Sequence, residues 1–394
     1  MSKFHLKPSE AAKLASDVYT VNENNKTKLK IFINQPLFRK NSSRQQTKML
    51  KAKVGGHLLR ATEDAFGIAA YGAEGTRFAN DLFLIFRGTT TANNKADFIT
   101  DVRAGITISA KGKPVHSGFN SCFNSMRKQI TDFTAGQTFS GRVHCIDHSL
   151  GGAVASLAAD WCYPHISKEV ILYSFGSPRV GLSTFSSITT LKLKKTNIHR
   201  TFADTDPVPM VPIFPYTHLP FASYGHRLES KDLIRSGEAH KMQHYVRKLK
   251  PFAQWNDVPR ARAPFNHESL IEEWLDSYRM EDISDSMTLQ AVEMGVHWLL
   301  KKIGGVIFEG VHTLAVGVHT FIDLLAKEFE RAVRVGSEAG RLVTKFMRKL
   351  VRILGIPEKL LEQNTTRQYF TYLLRTLVTR AHELAQKAIR NLSK

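Results

Sequence analysis

The stretch Val143-His144-Cys145-Ile146-Asp147-His148-Ser149-Leu150-Gly151-Gly152-Ala153 permits few folds. The apolar run before Asp147 reads as a strand and His148-Ser149-Leu150 as a sharp turn. The small residues from Gly151 to Ser156 read as a helix start that can pack close beneath that turn. A serine hydroxyl is a poor nucleophile until a neighbouring imidazole removes its proton, and a strand–turn–helix corner is one way to expose such a serine. The helix start also directs backbone N–H groups and a positive dipole end toward developing negative charge. A Ser-Gly-rich loop with no chemistry is the competing reading, so other motifs must decide.

Around this corner, Phe66 to Tyr71 and Leu82 to Phe86 read as a hairpin. Val170 to Tyr173 and His199 to Ala203 are further strands alternating with helical patterns such as Ala153 to Trp161, which gives an α/β unit with a mostly parallel sheet. Pro8 opens a helix through Val18, and the basic polar stretch from 22 to 53 reads as loop-rich surface. Lys250 to Pro264 is proline-rich and polar, as a domain boundary would be, and everything beyond it has helical periodicity. The expected organisation is an α/β domain over 1–250, a linker over 251–265 and an all-helical, basic C-terminal extension over 266–394.

The 394 residues hold 55 Lys and Arg against 35 Asp and Glu, a net charge of +20 that favours polyanionic surfaces. Half of it sits in residues 331–394, where 14 Lys and Arg face 4 Glu. There Leu342, Val343, Phe346, Met347, Leu350, Val351 and Leu354 recur with helical period beside Arg341, Lys345, Arg348, Lys349 and Arg352, a basic amphipathic helix. It reads either as a membrane-surface helix or as part of a bundle packed on the core. Neither a recognition motif nor an aromatic-interleaved basic patch accompanies the charge, so nucleic acid is not expected as a partner. Three cysteines, Cys122, Cys145 and Cys162, lack metal or redox spacing and read as reduced thiols. The start, Met1 to Lys7, has no apolar segment of the signal-peptide kind, and Ile303 to Leu325, broken by Glu309, His312, His319 and Asp323, reads as a core or interfacial helix.

Several motifs in the same order resemble the class 3 lipase family over most of residues 1–250. Phe83-Leu84-Ile85-Phe86-Arg87-Gly88-Thr89 resembles the strand and turn that supply the first oxyanion donor, which assigns the Thr89 N–H and, next after the nucleophile, the Leu150 N–H to the oxyanion hole. Val115 to Phe119 and Ser174 to Gly181 are structural landmarks of that family. Thr205-Asp206-Pro207-Val208-Pro209 resembles its acidic motif and makes Asp206 the orienting acid, with Asp204 the alternative as a mere turn cap. His218, His226, His240, His244 and His267 all lie downstream; His240, followed by Met242 and Tyr245, resembles the family's catalytic histidine, with His226 in reserve. A metal held by His240 and His244 lacks a third ligand, and no cofactor or metal is expected. The resemblance therefore implies an α/β-hydrolase whose catalytic residues are Ser149, Asp206 and His240.

One departure stands out. Glycine is usual in that family where this chain has Asp147. A carboxylate beside Ser149 would oppose an oxyanion and capture a protonated His240, so it is expected to lower activity, whether as a single-base inactivating change or as a natural adaptation.

Residues 92–110, where the family keeps a lid, are only modestly apolar, which suits phospholipid better than triacylglycerol, and the basic extension points the same way. The resemblance further implies a bacterial phospholipase A of the antibacterial effector kind, made in the cytoplasm and exported without a cleavable signal peptide. Such an enzyme would act at a target membrane and be matched by an immunity protein and a secretion-machine component. Two alternatives remain at this stage: a triacylglycerol lipase and a catalytically silent membrane-binding protein.

Overall fold

A computed structural model describes residues 4–21, 26–38, 47–54, 62–88, 105–135, 141–221, 225–230, 237–262, 265, 267–279, 281–283, 285–303, 318–362 and 365–390. The strands are β1 (Thr47–Val54), β2 (Thr62–Tyr71), β3 (Leu82–Phe86), β4 (Ile106–Ile108), β5 (Pro114–His116), β6 (Val143–His148), β7 (Val170–Phe175), β8 (Ile198–Ala203) and β9 (His226–Leu228). Seven of them form one sheet in the order β1-β2-β3-β6-β7-β8-β9, antiparallel from β1 to β3 and parallel from β3 to β9. This is the mostly parallel α/β sheet expected from the sequence, with β4 and β5 as a separate two-stranded ribbon.

The central strands carry apolar side chains on both faces, because both faces are covered. Along β3, Leu82, Leu84 and Phe86 enter one core while Phe83 and Ile85 enter the other. The first core is closed by α3 (Ser117–Thr134), α4 (Leu150–His165) and α5 (Ser183–Leu193). The second is closed by α1 (Pro8–Asp17) and α2 (Lys26–Ile33), with α6 (Gly237–His240) and α7 (Met242–Leu249) following β9. The three thiols are free and buried.

The stretch expected to be loop-rich contains α2 and β1. Strand β1 sits at the sheet edge and buries only Leu50 and Ala52 fully, with lysines at 48, 51 and 53, so its period-2 signal is faint. The proline-rich stretch after Lys250 is also more than a tether. Trp255 is buried, its indole N–H donates to the Leu6 carbonyl at 2.8 Å, and the Arg227 N–H donates to the Pro259 carbonyl at 2.8 Å.

Beyond residue 265 the described residues form helices: α8 (Glu268–Asp276), α9 (Ser286–Lys302), α10 (Val318–Arg334), α11 (Glu338–Ile353), α12 (Lys359–Glu362) and α13 (Arg367–Arg390). Leu342, Val343, Phe346, Met347, Leu350 and Val351 of α11 join the same apolar cluster as the sheet face over β3 and β6. The apolar stripe of this basic helix is therefore used internally, and of its cations Arg341 is exposed while Lys349 is buried beside Glu281. The last helix, α13, packs against α6 and against the 3-10 turn Val208–Met210. No helix among the described residues is long and apolar enough to cross a membrane.

A stack of imidazoles lies under the parallel strands. His5 Nδ1 is 3.0 Å from His199 Nε2, the His199 ring stacks on Trp255 at 4.3 Å, and His226 leans on the same indole at 5.2 Å. Burial, helped by His144, pushes His5 down to about 4; burial likewise pushes His226 down to about 4 and His199 well below its usual value. These rings are neutral when folded but take protons near 6.5 when unfolded, so their stabilisation is full above pH 6.5 and is lost as pH falls toward 4. A melting temperature several degrees lower at pH 5 than at pH 7.5 is the expected result. A flat profile over that interval contradicts it.

Candidate active site

Strand β6 ends in a corner at Ser149, which has φ 61° and ψ −130° and precedes the first residue of α4. That left-handed backbone turns the Ser149 side chain away from the strand while its N–H donates to the Phe175 carbonyl at 3.0 Å. Gly88 makes this corner possible from the β3 side, since a Cβ there would lie 2.8 Å from Ser149 Cβ and 2.3 Å from the Tyr19 hydroxyl.

Ser149 Oγ lies 2.8 Å from His240 Nε2, at the end of α6. The other ring nitrogen, Nδ1, is 2.9 and 3.0 Å from the two carboxylate oxygens of Asp206. Asp206 follows β8 and is held in turn by the Val208 N–H at 2.9 Å and by the Tyr245 hydroxyl, which donates at 2.5 Å. All three residues are buried. Gly176, at φ 57°, lets the backbone pass this group, because a Cβ there would meet Asp206 Oδ2 at 2.7 Å.

A second chain of hydrogen bonds backs the first. His148 Nε2 is 2.7 Å from the His240 carbonyl; a carbonyl only accepts, so this nitrogen carries the proton. Nδ1 is then an acceptor for the Tyr19 hydroxyl at 2.6 Å, and that hydroxyl accepts from the Gly88 N–H at 3.0 Å. Burial and the neighbouring His240 hold His148 well below the usual histidine range, so it stays neutral. The N-terminal segment thus braces both the backbone at His240 and the turn after β3. Tyr19 carries no motif that would have singled it out; its contact to His148 spans 129 positions of sequence.

The other candidates go elsewhere. Asp204 pairs with Arg227 at 2.7 Å. His226 belongs to the imidazole stack, and His244 turns toward Arg247. His267 stands just before α8. Leu150 opens α4 beside Ser149, while Thr89 and residues 92–104 of the expected lid lie outside the described residues. Among the described residues no cluster of three or more metal-ligating side chains occurs.

Asp147 alters the expectation attached to it. It is a strand residue paired between Phe86 and Ser174, with no left-handed backbone; the left-handed residue is Ser149. Its side chain is buried against Gly152 and Ser177, small residues that leave it room. Burial pushes its carboxyl well above the usual carboxylate range, opposed by the Phe175 backbone. Burial therefore favours its protonated form, which works against the negative charge on which the inactivation argument depends. An unfolded aspartate ionises near pH 4, so this residue destabilises the fold progressively as pH rises above that value. Asp147→Asn is therefore expected to raise the melting temperature at pH 8 and to change it little at pH 4. Equal shifts at both values contradict this.

Residues 83–216 match the class 3 lipase family model. That segment runs from β3 through Ser149 and Asp206. Over 164 residues the chain is 32% identical to secreted mono- and diacylglycerol lipase 1 of Fusarium solani, a match covering 39% of this chain and 46% of that protein. The chain thus spans under half the length of this relative. Solved structures with a similar course include a lipase from Rhizopus microsporus var. chinensis (22% identity, 64% of this chain and 83% of that one, TM-score 0.37). Lip2 lipase of Yarrowia lipolytica is another (20%, 56% and 77%, TM-score 0.39). The matched segment contains Ser149 and Asp206; His240 lies beyond its end.

Proposed function

We propose that the chain is a serine esterase acting on the acyl esters of membrane phospholipids. The observation that carries the ester-cleaving part is the continuous hydrogen-bonded line from Ser149 through His240 to Asp206 at a lipase-type corner. His240 Nε2 removes the Ser149 proton as Oγ attacks the ester carbonyl. The tetrahedral oxyanion is held by the Leu150 N–H and the N-terminal end of α4. His240 then gives its proton to the departing alcohol, leaving an acyl-serine, and next activates the water that releases the acid. Asp206 keeps the imidazole oriented and balances its charge while it is protonated.

The choice of phospholipid rests on charge. Arg341, Arg367 and Lys387 of the extension are exposed, and basic residues near an anionic bilayer contribute about 1 kcal/mol each. A second reading has its own support: the Fusarium relative is named for mono- and diacylglycerols, so these neutral esters are the alternative substrates. Fatty-acid release from phosphatidylglycerol vesicles and from emulsified diacylglycerol, by this chain and by Ser149→Ala, separates them. Faster release from vesicles, absent in Ser149→Ala, is expected; faster release from diacylglycerol replaces the phospholipid reading. Vesicle binding with no cleavage of either ester indicates a silent membrane binder. The role as an exported antibacterial effector with an immunity partner is likewise our proposal, and it predicts that periplasmic expression of this chain, unlike Ser149→Ala, arrests bacterial growth.

A further inference from the structure

The stretch 174–181 runs against the catalytic group at Gly176, where a Cβ would meet Asp206 Oδ2 at 2.7 Å and His240 Nδ1 at 3.2 Å. Three residues on, the buried guanidinium of Arg179 is shared between two parts of the chain. Its Nη1 donates to the carbonyls of Met210 at 2.9 Å and Pro212 at 3.2 Å, and the Arg179 backbone N–H donates to the Val211 carbonyl at 3.0 Å. Its Nη2 donates to Glu293 Oε2 at 2.8 Å, and Glu293 belongs to α9 of the helical extension.

The residues held in this way are those that follow Asp206. The Val208 N–H donates to Asp206 Oδ1 at 2.9 Å and opens the 3-10 turn Val208–Met210, whose last carbonyl is one that Arg179 grips. A continuous line therefore runs from Glu293 through Arg179 and this turn to the Asp206 carboxylate. Helix α13 packs on the same turn and on α6, whose last residue is His240. Val208, Met210 and Val211 share one apolar cluster with Phe370, Leu373 and Leu377 of α13. The extension thus reaches the supports of both the acid and the base, although it lies outside the matched lipase segment. Glu293 also has an electrostatic task. Burial pushes the Arg179 guanidinium below its usual range, and Glu293 opposes that push. A buried cation without its carboxylate is drawn toward water or another acceptor, and movement of Arg179 releases the carbonyls of Met210 and Pro212. A small shift of Asp206 then misaims His240 at Ser149, and misplacement on the scale of an ångström is costly to a reaction that depends on alignment.

We propose that Glu293, acting through Arg179, is a positioning residue of the esterase site, so that the helical extension sets the alignment of Asp206 and His240 as well as the stability of the fold. The inference rests on the reading of Ser149, His240 and Asp206 as an ester-cleaving group, and it adds a part that the α/β unit does not contain.

Full-length Glu293→Ala, assayed on a p-nitrophenyl acyl ester well below its melting temperature, is expected to lose about 10–100-fold in kcat with KM within about twofold of the parent. Glu293→Gln keeps an acceptor for Arg179 and is expected to recover most of that loss. The hydrogen bond between Asp206 and His240 is read directly from the low-field Nδ1 proton of His240 in protein carrying isotope-labelled histidine, assigned by its absence in His240→Ala. That signal is expected to move upfield or broaden in Glu293→Ala. A purely structural role moves neither readout: Val343→Ala, which thins the core at α11, is expected to lower the melting temperature with kcat and the His240 signal unchanged. Where Glu293→Ala does not fold, Arg179→Met combined with Glu293→Met replaces it, since an apolar pair leaves no uncompensated charge while removing the grip on the two carbonyls. The same loss of kcat is expected there. Folded variants that keep the parental kcat and the parental His240 signal overturn the proposal. If the parent cleaves no ester, a His240 signal that moves with Glu293 upholds the positioning and it is the ester-cleaving reading that falls; a signal that stays in place overturns the positioning.

Discussion

Alanine at Ser149 is expected to lower kcat/KM for a soluble acyl ester by about 10⁴-fold or more, with little change in KM and none in melting temperature beyond a degree or two. The reason is geometric. His240 Nε2 stands 2.8 Å from Ser149 Oγ, and the Asp206 carboxylate stands behind the imidazole at 2.9 Å. A group that forms and breaks a bond in the reaction cannot be replaced by its neighbours. His240→Ala should cost a similar factor, and the double variant should cost no more than either single one, because the two act as a unit. Steady-state kinetics on a p-nitrophenyl acyl ester reads all three. A loss below tenfold in Ser149→Ala places the chemistry elsewhere.

Removing the helical extension should have the largest effect on stability. A chain ended at residue 265 is expected to be insoluble or unfolded, not a smaller active esterase. Four buried side chains of α13, Phe370, Leu373, Leu374 and Leu377, sit in the same apolar cluster as the sheet face over β3 and β6. Truncation would bare that face. It would also take Glu293 from Arg179, leaving a buried guanidinium without its carboxylate, a loss of about 3–5 kcal/mol by itself. In the intact chain, Phe370→Ala should cost about 3–5 kcal/mol by opening a cavity in this cluster. Circular dichroism melts and soluble yield report both outcomes. A truncated chain with a cooperative melt near that of the full protein would show that the α/β unit is self-sufficient.

Much of this was legible in the residues. The runs at Leu82, Val143, Val170 and Ile198 are strands because their side chains are apolar on both faces, a pattern that survives without knowledge of neighbours. Strand β1 was missed because an edge strand buries little, and local sequence reports burial, not pairing. The amphipathic stripe of α11 was visible as well, but periodicity says only that one face wants an apolar partner. Whether a bilayer or the protein itself supplies that partner is a matter of packing, and here α11 is turned onto the core.

The site divides along the same line. Ser149 and its corner follow from a strand, a turn and small residues within about a dozen positions, so the chain alone determined them. Asp206 and His240 could be ordered by motif, but Asp204 and four other downstream histidines competed, and only the fold brings His240, 91 positions from Ser149, to hydrogen-bonding distance. The Tyr19–His148 brace and the upward push of burial on the Asp147 carboxyl belong wholly to tertiary structure. A contact across a hundred residues and the protonation of a buried carboxyl depend on what surrounds a side chain, and those surroundings exist only after the chain has folded.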